Sequence, residues 1–243
     1  MSSLRAAWRL ARCVIHGLHG ILVVLLRFPA LPPQGRRERI RWWSAGMLRV
    51  LGIEMRVVGL LRPGAKLIVA NHVSWIDILA LHAVCPEARF VSKAEIQHWP
   101  LLNRLVAAGE TLYLERERKR DALRVVHRMA EALAAGGTVA AFPEGTTGDG
   151  HELLPFHANV LQAAISTATP VQPIALRYSD AVHAVSPAAQ WLGNTTLVGS
   201  LWKLACAEGL VVSVRVLLPM ASEHTERRAL AAHLRETIAA ALG

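Results

Sequence analysis

The sequence predicts an α/β fold: a mostly parallel central sheet flanked by helices, preceded by an N-terminal membrane-associated two-helix segment. Three observations predict it. From Glu54 onward, short apolar runs of strand length alternate with longer stretches of helical period, the pattern of successive βα units. Leu67 to Ala70 reads as a buried strand that empties into the polar stretch Asn71-His72-Val73-Ser74-Trp75-Ile76-Asp77. Charge is uneven: residues 1–62 hold 11 Arg against Glu38 and Glu54, whereas residues 63–243 hold 16 basic and 16 acidic residues. All of the formal charge of +9 therefore lies at the N-terminal end.

The boundary falls near residue 52, giving a basic helical segment over 1–52 and an α/β domain over 53–243. Cys13 to Leu26 is the longest apolar stretch, 14 residues broken by His16 and His19 and flanked by Arg12 and Arg27. It reads as an uncleaved membrane-facing helix, since no small-x-small cleavage site follows. Pro29 to Gly35 is a break. Arg36 to Leu51 reads as an amphipathic helix whose adjacent Trp42 and Trp43 among arginines suit a bilayer interface. Such a basic segment could attract anionic lipid or nucleic acid. Its interleaved Leu, Val, Ile and Trp, in a chain with only two Tyr and four Phe, favour an anionic membrane surface and no nucleic acid.

Further along, strands are expected at Met55–Val58, Leu67–Ala70, Arg89–Ser92, Thr111–Leu114, Thr138–Phe142, Val171–Leu176 and Leu210–Leu218. Helices are expected over Ile78–Val84, closed by Pro86, up to Ala108 with an interruption at Pro100, and over Lys119–Ala135, closed by Gly136-Gly137. Others are expected over His157–Thr167, over Trp191–Cys206, and from a Ser222 cap to Leu242. The three cysteines, Cys13, Cys85 and Cys206, lie far apart without metal-type spacing and read as reduced core thiols.

Sites in open α/β sheets collect where strands end. Four exits carry polar residues: Asn71-His72; Lys93 with Glu95; Glu115-Arg116; and Pro143 to Gly150, a loop rich in Gly and Thr. If the helix starts after Ser74, His72 can fold back so that Asp77 accepts from one ring nitrogen and the other serves as a base. The same spacing also fits a capping box, with Ser74 as N-cap and Asp77 at the third helical position. The Gly/Thr loop and a guanidinium would together suit a phosphate.

These blocks occur in a telling order: His72-x4-Asp77, then Leu112-Tyr113-Leu114-Glu115-Arg116, Phe142-Pro143-Glu144-Gly145-Thr146, and Val171-Gln172-Pro173-Ile174. The chain resembles the glycerophospholipid acyltransferase family, in particular its bacterial 1-acyl-sn-glycerol-3-phosphate acyltransferases. The resemblance implies transfer of an acyl chain from acyl-CoA or acyl carrier protein to the free hydroxyl of 1-acyl-sn-glycerol 3-phosphate, giving phosphatidic acid. It implies His72 as general base, Asp77 as the group that orients it, and Arg116 with Glu144, Gly145 and Thr146 at the glycerol phosphate. Lys93 is a further candidate for the thioester oxygen or the phosphate. No metal and no cofactor beyond the acyl donor is implied, and the expected location is the cytoplasmic face of the bacterial inner membrane. Thr147 and Gly148 stand where the family often has Arg and Ser, so acylation of lyso-ornithine lipid is the runner-up.

Other classes fit less well. A serine hydrolase would need Ser74 within six positions of both partners, and no G-x-S-x-G elbow exists. A metallohydrolase using His72, Asp77, His82, Asp149 and His151 lacks ligand spacing. A non-catalytic peripheral membrane protein would leave the four polar exits unexplained.

Overall fold

The computed structural model describes residues 2–93, 102–114 and 119–243. The chain opens with α1 (Ser2–Leu26), one unbroken helix that runs through His16 and His19. Its stretch Ser3–Leu26, with mean hydropathy 1.6, is long and apolar enough to cross a membrane by length and composition. Yet one side of it is tied to the fold. Arg9 Nη1 donates to the carbonyls of Ala205 and Ala207, Arg5 pairs with Glu208, and Cys13 Sγ lies 3.4 Å from Met47 Sδ. The opposite side leaves Trp8, Ile15, Leu22 and Leu26 exposed.

A 3₁₀ turn leads into α2 (Pro33–Val50). Proline stands at its first position, where the missing N–H would have had no partner anyway. Trp43 Nε1 donates to the His16 carbonyl at 3.0 Å, which clamps α2 to α1. Met47, Leu48 and Val50 then join the same core as the sheet, while Trp42 stays half exposed.

Among the described residues seven strands follow: β1 (Glu54–Val58), β2 (Lys66–Ala70), β3 (Ala88–Lys93), β4 (Leu112–Leu114), β5 (Thr138–Ala141), β6 (Val171–Ser179) and β7 (Val211–Val216). Their order in the sheet is β1-β7-β6-β2-β5-β3-β4. β6, β2, β5, β3 and β4 are mutually parallel, β7 runs antiparallel to β6, and β1 is parallel to β7. Five carboxyl ends therefore emerge on one edge. The helices are α3 (Ile76–Val84), α4 (Leu102–Ala108), α5 (Lys119–Ala134), α6 (Gln162–Ser166), α7 (Leu197–Cys206) and α8 (Arg227–Leu242).

β2 is buried throughout because both of its faces are covered. Ile68 and Ala70 enter a core shared with α2 and α3; Leu67 and Val69 enter a second core shared with α5, α6 and α8. Helical period decides what α5 contributes. Val125, Met129, Ala132 and Leu133 are buried among its described side chains, and the chain leaves the helix at Gly136, whose φ of +85° suits glycine.

Three expectations about elements need correction. Ser222 does not cap the last helix: its hydroxyl is buried between the Ala164 and Thr169 carbonyls, and Glu226 caps α8 by accepting from Ala229 N at 2.7 Å. Residues 191–196 are not helical; Thr196 caps α7, accepting from Gly199 N at 3.1 Å. Over 157–167 a 3₁₀ turn, Ala158–Leu161, precedes α6.

Candidate active site

Asn71 ends β2 with both side-chain groups committed: Oδ1 accepts from Leu176 N at 2.8 Å, and Nδ2 donates to Leu176 O at 2.9 Å. This bracket fixes the strand end against β6 and sets the backbone from which His72 leaves. Three further bonds hold His72. Its N–H donates to Glu144 Oε1 at 2.7 Å, its carbonyl accepts from Gly148 N at 2.8 Å, and its Nδ1 lies 2.8 Å from Asp77 Oδ2. The ring stacks on Phe142 with centroids 4.0 Å apart. The side chain keeps 19% of its surface exposed, and among the described residues Nε2 has no hydrogen-bond partner.

Asp77 is fully buried and receives four donors. Oδ2 accepts from Val73 N at 2.7 Å, Ser74 N at 2.9 Å and His72 Nδ1; Oδ1 accepts from Tyr178 Oη at 2.7 Å. With both oxygens accepting, the facing ring nitrogen carries its hydrogen and the unprotonated lone pair lies on Nε2. The two readings of this spacing are thus partly combined. Asp77 does cap the backbone N–H groups of the turn, but the reciprocal half is missing: the Ser74 hydroxyl is buried without a partner among the described residues. The same observation removes Ser74 as a nucleophile activated by His72.

The loop after β5 closes over this pair. Glu144 is 4% exposed, and burial pushes its carboxyl up from the ordinary carboxylate range, opposed by the backbone N–H groups of Leu154 and His72. Its two oxygens accept from those same groups, so it braces the His72 exit and the loop. Gly145 has φ +70°, and its N–H donates to Phe142 O at 3.1 Å. A Cβ there would lie 3.1 Å from the His157 ring. Thr147 donates its hydroxyl to Trp191 O, and Trp191 N donates to Val73 O at 3.1 Å. Thr146 is exposed, with no partner for its hydroxyl among the described residues.

The parallel sheet carries β2, β5, β3 and β4 to one edge, which places the ends of β3 at Lys93 and β4 at Leu114 on the same edge as the His72 exit, two and three strands away from it. Arg116 and Glu115, like Glu95, lie outside the described residues. His82 is in the core: its Nε2 lies 3.1 Å from the Ala88 carbonyl, its ring stands edge-on to Phe90, and burial pushes it down to about 4. His151 sits on the exposed surface. Among the described residues no three His, Cys, Asp or Glu side chains gather as metal ligands, so the five residues of the metallohydrolase reading do not form a metal site. Sequence reasoning missed Tyr178 and Trp191; the only available signal for Tyr178 was an aromatic at even spacing from Ile174 along a strand.

The chain is similar to known acyltransferases. A family model described as Acyltransferase matches residues 54–177. A lyso-ornithine lipid O-acyltransferase of Pseudomonas aeruginosa is 36% identical over 89% of this chain and 83% of its own. A 1-acyl-sn-glycerol-3-phosphate acyltransferase of Neisseria meningitidis is 33% identical over 86% of this chain and 82% of its own. The crystal structure of a 1-acyl-sn-glycerophosphate acyltransferase from Thermotoga maritima, at 19% identity, shares the fold with a TM-score of 0.65 over 96% of both chains.

Proposed function

Since the chain belongs to the acyltransferase family, we propose that it acylates the free hydroxyl of a lysolipid from an acyl thioester, and that this lysolipid is lyso-ornithine lipid. The observation that carries the chemistry is the His72 Nδ1 to Asp77 Oδ2 bond of 2.8 Å, which leaves Nε2 for the substrate. His72 Nε2 takes the hydroxyl proton as the oxygen attacks the thioester carbonyl. The buried Asp77 stabilises the imidazolium so formed. When the tetrahedral intermediate collapses, the C–S bond breaks and the leaving sulfur receives that proton. The products are an ester and a free thiol. The thiol carrier is coenzyme A or acyl carrier protein.

The headgroup reading follows from the donors of the 142–157 loop. The N–H groups of Gly145 and Gly148 and the hydroxyl of Thr147 all have acceptors within the protein. The loop carries Glu144, Asp149 and Glu152 and no Lys or Arg. A phosphate monoester, with up to two negative charges, finds little there to replace its hydration. An ornithine headgroup, with one ammonium and one carboxylate, fits such a surface better. A second reading, transfer to 1-acyl-sn-glycerol 3-phosphate, is favoured by the unpartnered Thr146 hydroxyl and by Arg116, the cation that the family resemblance assigns to phosphate.

The exposed apolar side of α1 and the basic residues beside it support placement at an anionic membrane, on its cytoplasmic face. Purified enzyme given one labelled acyl thioester and each lysolipid in turn separates the readings. Faster acylation of lyso-ornithine lipid is expected. Faster acylation of lysophosphatidate would replace the headgroup assignment and leave the chemistry intact. Thioester hydrolysis without transfer would remove both.

A further inference from the structure

Away from the dyad, β6 and β7 share a sheet face whose polar residues have no role in acyl transfer. Ile174, Leu176 and Tyr178 of β6 enter the core beside α2 and α3, so Ala175, Arg177 and Ser179 point the other way. Antiparallel register sets Ser213 opposite Arg177 and Arg215 opposite Ala175. Arg177 and Arg215 are therefore diagonal neighbours on one face, about 7–8 Å apart at their Cα atoms. Their guanidinium groups can converge on a single small ion.

Arg177, Ser179, Ser213 and Arg215, with Ala241 and Leu242 at the end of α8, line a cavity with about 460 Å³ of empty space, part of it open to solvent. Arg177 Nε is buried and unpartnered among the described residues. Arg215 is held in place by Nη1, which donates to Ala241 O at 2.6 Å, leaving its remaining N–H groups for the cavity. No hydrogen bond from the Ser179 or Ser213 hydroxyl, and no ion pair of either arginine, occurs among the described residues. The acid on the neighbouring strand, Glu54, is engaged by Arg56 at 2.7 Å.

Two cations on one sheet face with no acid between them repel, and a buried guanidinium N–H without an acceptor is costly to keep. A tetrahedral oxyanion relieves both: it accepts from two guanidinium groups and two hydroxyls at once. We propose that this cavity is a second ligand site, binding the phosphate group of a soluble molecule or free phosphate. A lipid headgroup is the other source of the same chemistry. It suits the site less, because α8 packs on this face of the sheet whereas α2, and α1 clamped to it, pack on the other.

The site is independent of the acyl-transfer reading and is tested without substrate. Full-length protein is titrated with inorganic phosphate by ³¹P NMR, and its co-sedimentation with phosphatidylglycerol vesicles is measured alongside. Arg177→Gln and Arg215→Gln are the variants, and the exposed Arg215 gives a readout even if the Arg177 variant fails to fold. Phosphate binding that weakens about tenfold in Arg215→Gln is the expected result. An unchanged phosphate titration with weakened vesicle binding would assign the phosphate of a lipid headgroup instead. Phosphate and vesicle binding that are absent, or alike in wild type and variants, would overturn the site.

Discussion

Tyr178 donates its hydroxyl to Asp77 Oδ1 at 2.7 Å, the oxygen that His72 does not use. The dyad is thus anchored across the sheet, from the turn after β2 to the last part of β6. Burial is the main cause that pushes the Tyr178 hydroxyl well above its ordinary value, with Asp77 adding to it, so the group stays a donor at every working pH. Tyr178→Phe keeps the ring and removes only this bond. A charge-assisted bond of this kind is worth enough that kcat should fall about tenfold with KM unchanged. Because Tyr178 acts through His72, the same change in a His72→Ala background should cost nothing more. Additive losses would make Tyr178 a structural residue alone.

Acceptor choice is read at Thr147. Thr147→Arg restores a guanidinium to the loop and should raise the ratio of lysophosphatidate to lyso-ornithine turnover by about 10–100-fold, the worth of one charge-assisted contact. The ratio is taken on one protein, so loss of the Thr147 bond to Trp191 cancels. An unmoved ratio would mean that headgroup choice lies elsewhere.

His82 provides a stability signature unrelated to catalysis. Burial depresses it from its ordinary 6.5 to about 4, so the folded chain declines a proton that the unfolded chain accepts. Stability present above about 6.5 is then lost as pH falls toward about 4, by about 3 kcal/mol in all. Denaturant melts between pH 7 and 4 should show a loss of that order in excess of His82→Gln. Parallel pH profiles for the two proteins would contradict it.

Membrane binding is best tested by surface substitutions. Deleting residues 1–28 would uncover the α7 end that Arg9 holds through Ala205 and Ala207. Trp8→Glu and Ile15→Glu change only exposed positions and should weaken sedimentation with anionic vesicles while leaving the melting temperature within about 2 °C. Unaltered vesicle binding would remove α1 from the membrane contact.

All seven strands and the His72–Asp77 pairing were legible in the sequence, because strand exits and the five-residue spacing are local features. The rest needed the fold. Glu144 read as a substrate group, yet its part in bracing His72 depends on β5 lying beside β2. Tyr178 reaches Asp77 only because β6 flanks β2 on the other side, 101 residues further along the chain. Ser222 looked like a helix cap in every local respect; its role in tying Ala164 to Thr169 comes from tertiary packing. The 142–157 loop looked like a store of free donors until its partners at Phe142, His72 and Trp191 were in view.

The central claim is that His72 is the base, and single-turnover acyl transfer by His72→Ala tests it most directly. The variant should still fold cooperatively, since Asp77 keeps its donors Val73 N, Ser74 N and Tyr178 Oη, and transfer should slow by about 10²–10⁴ at saturating substrates. A folded His72→Ala protein that transfers acyl groups at close to the wild-type rate would contradict the mechanism outright.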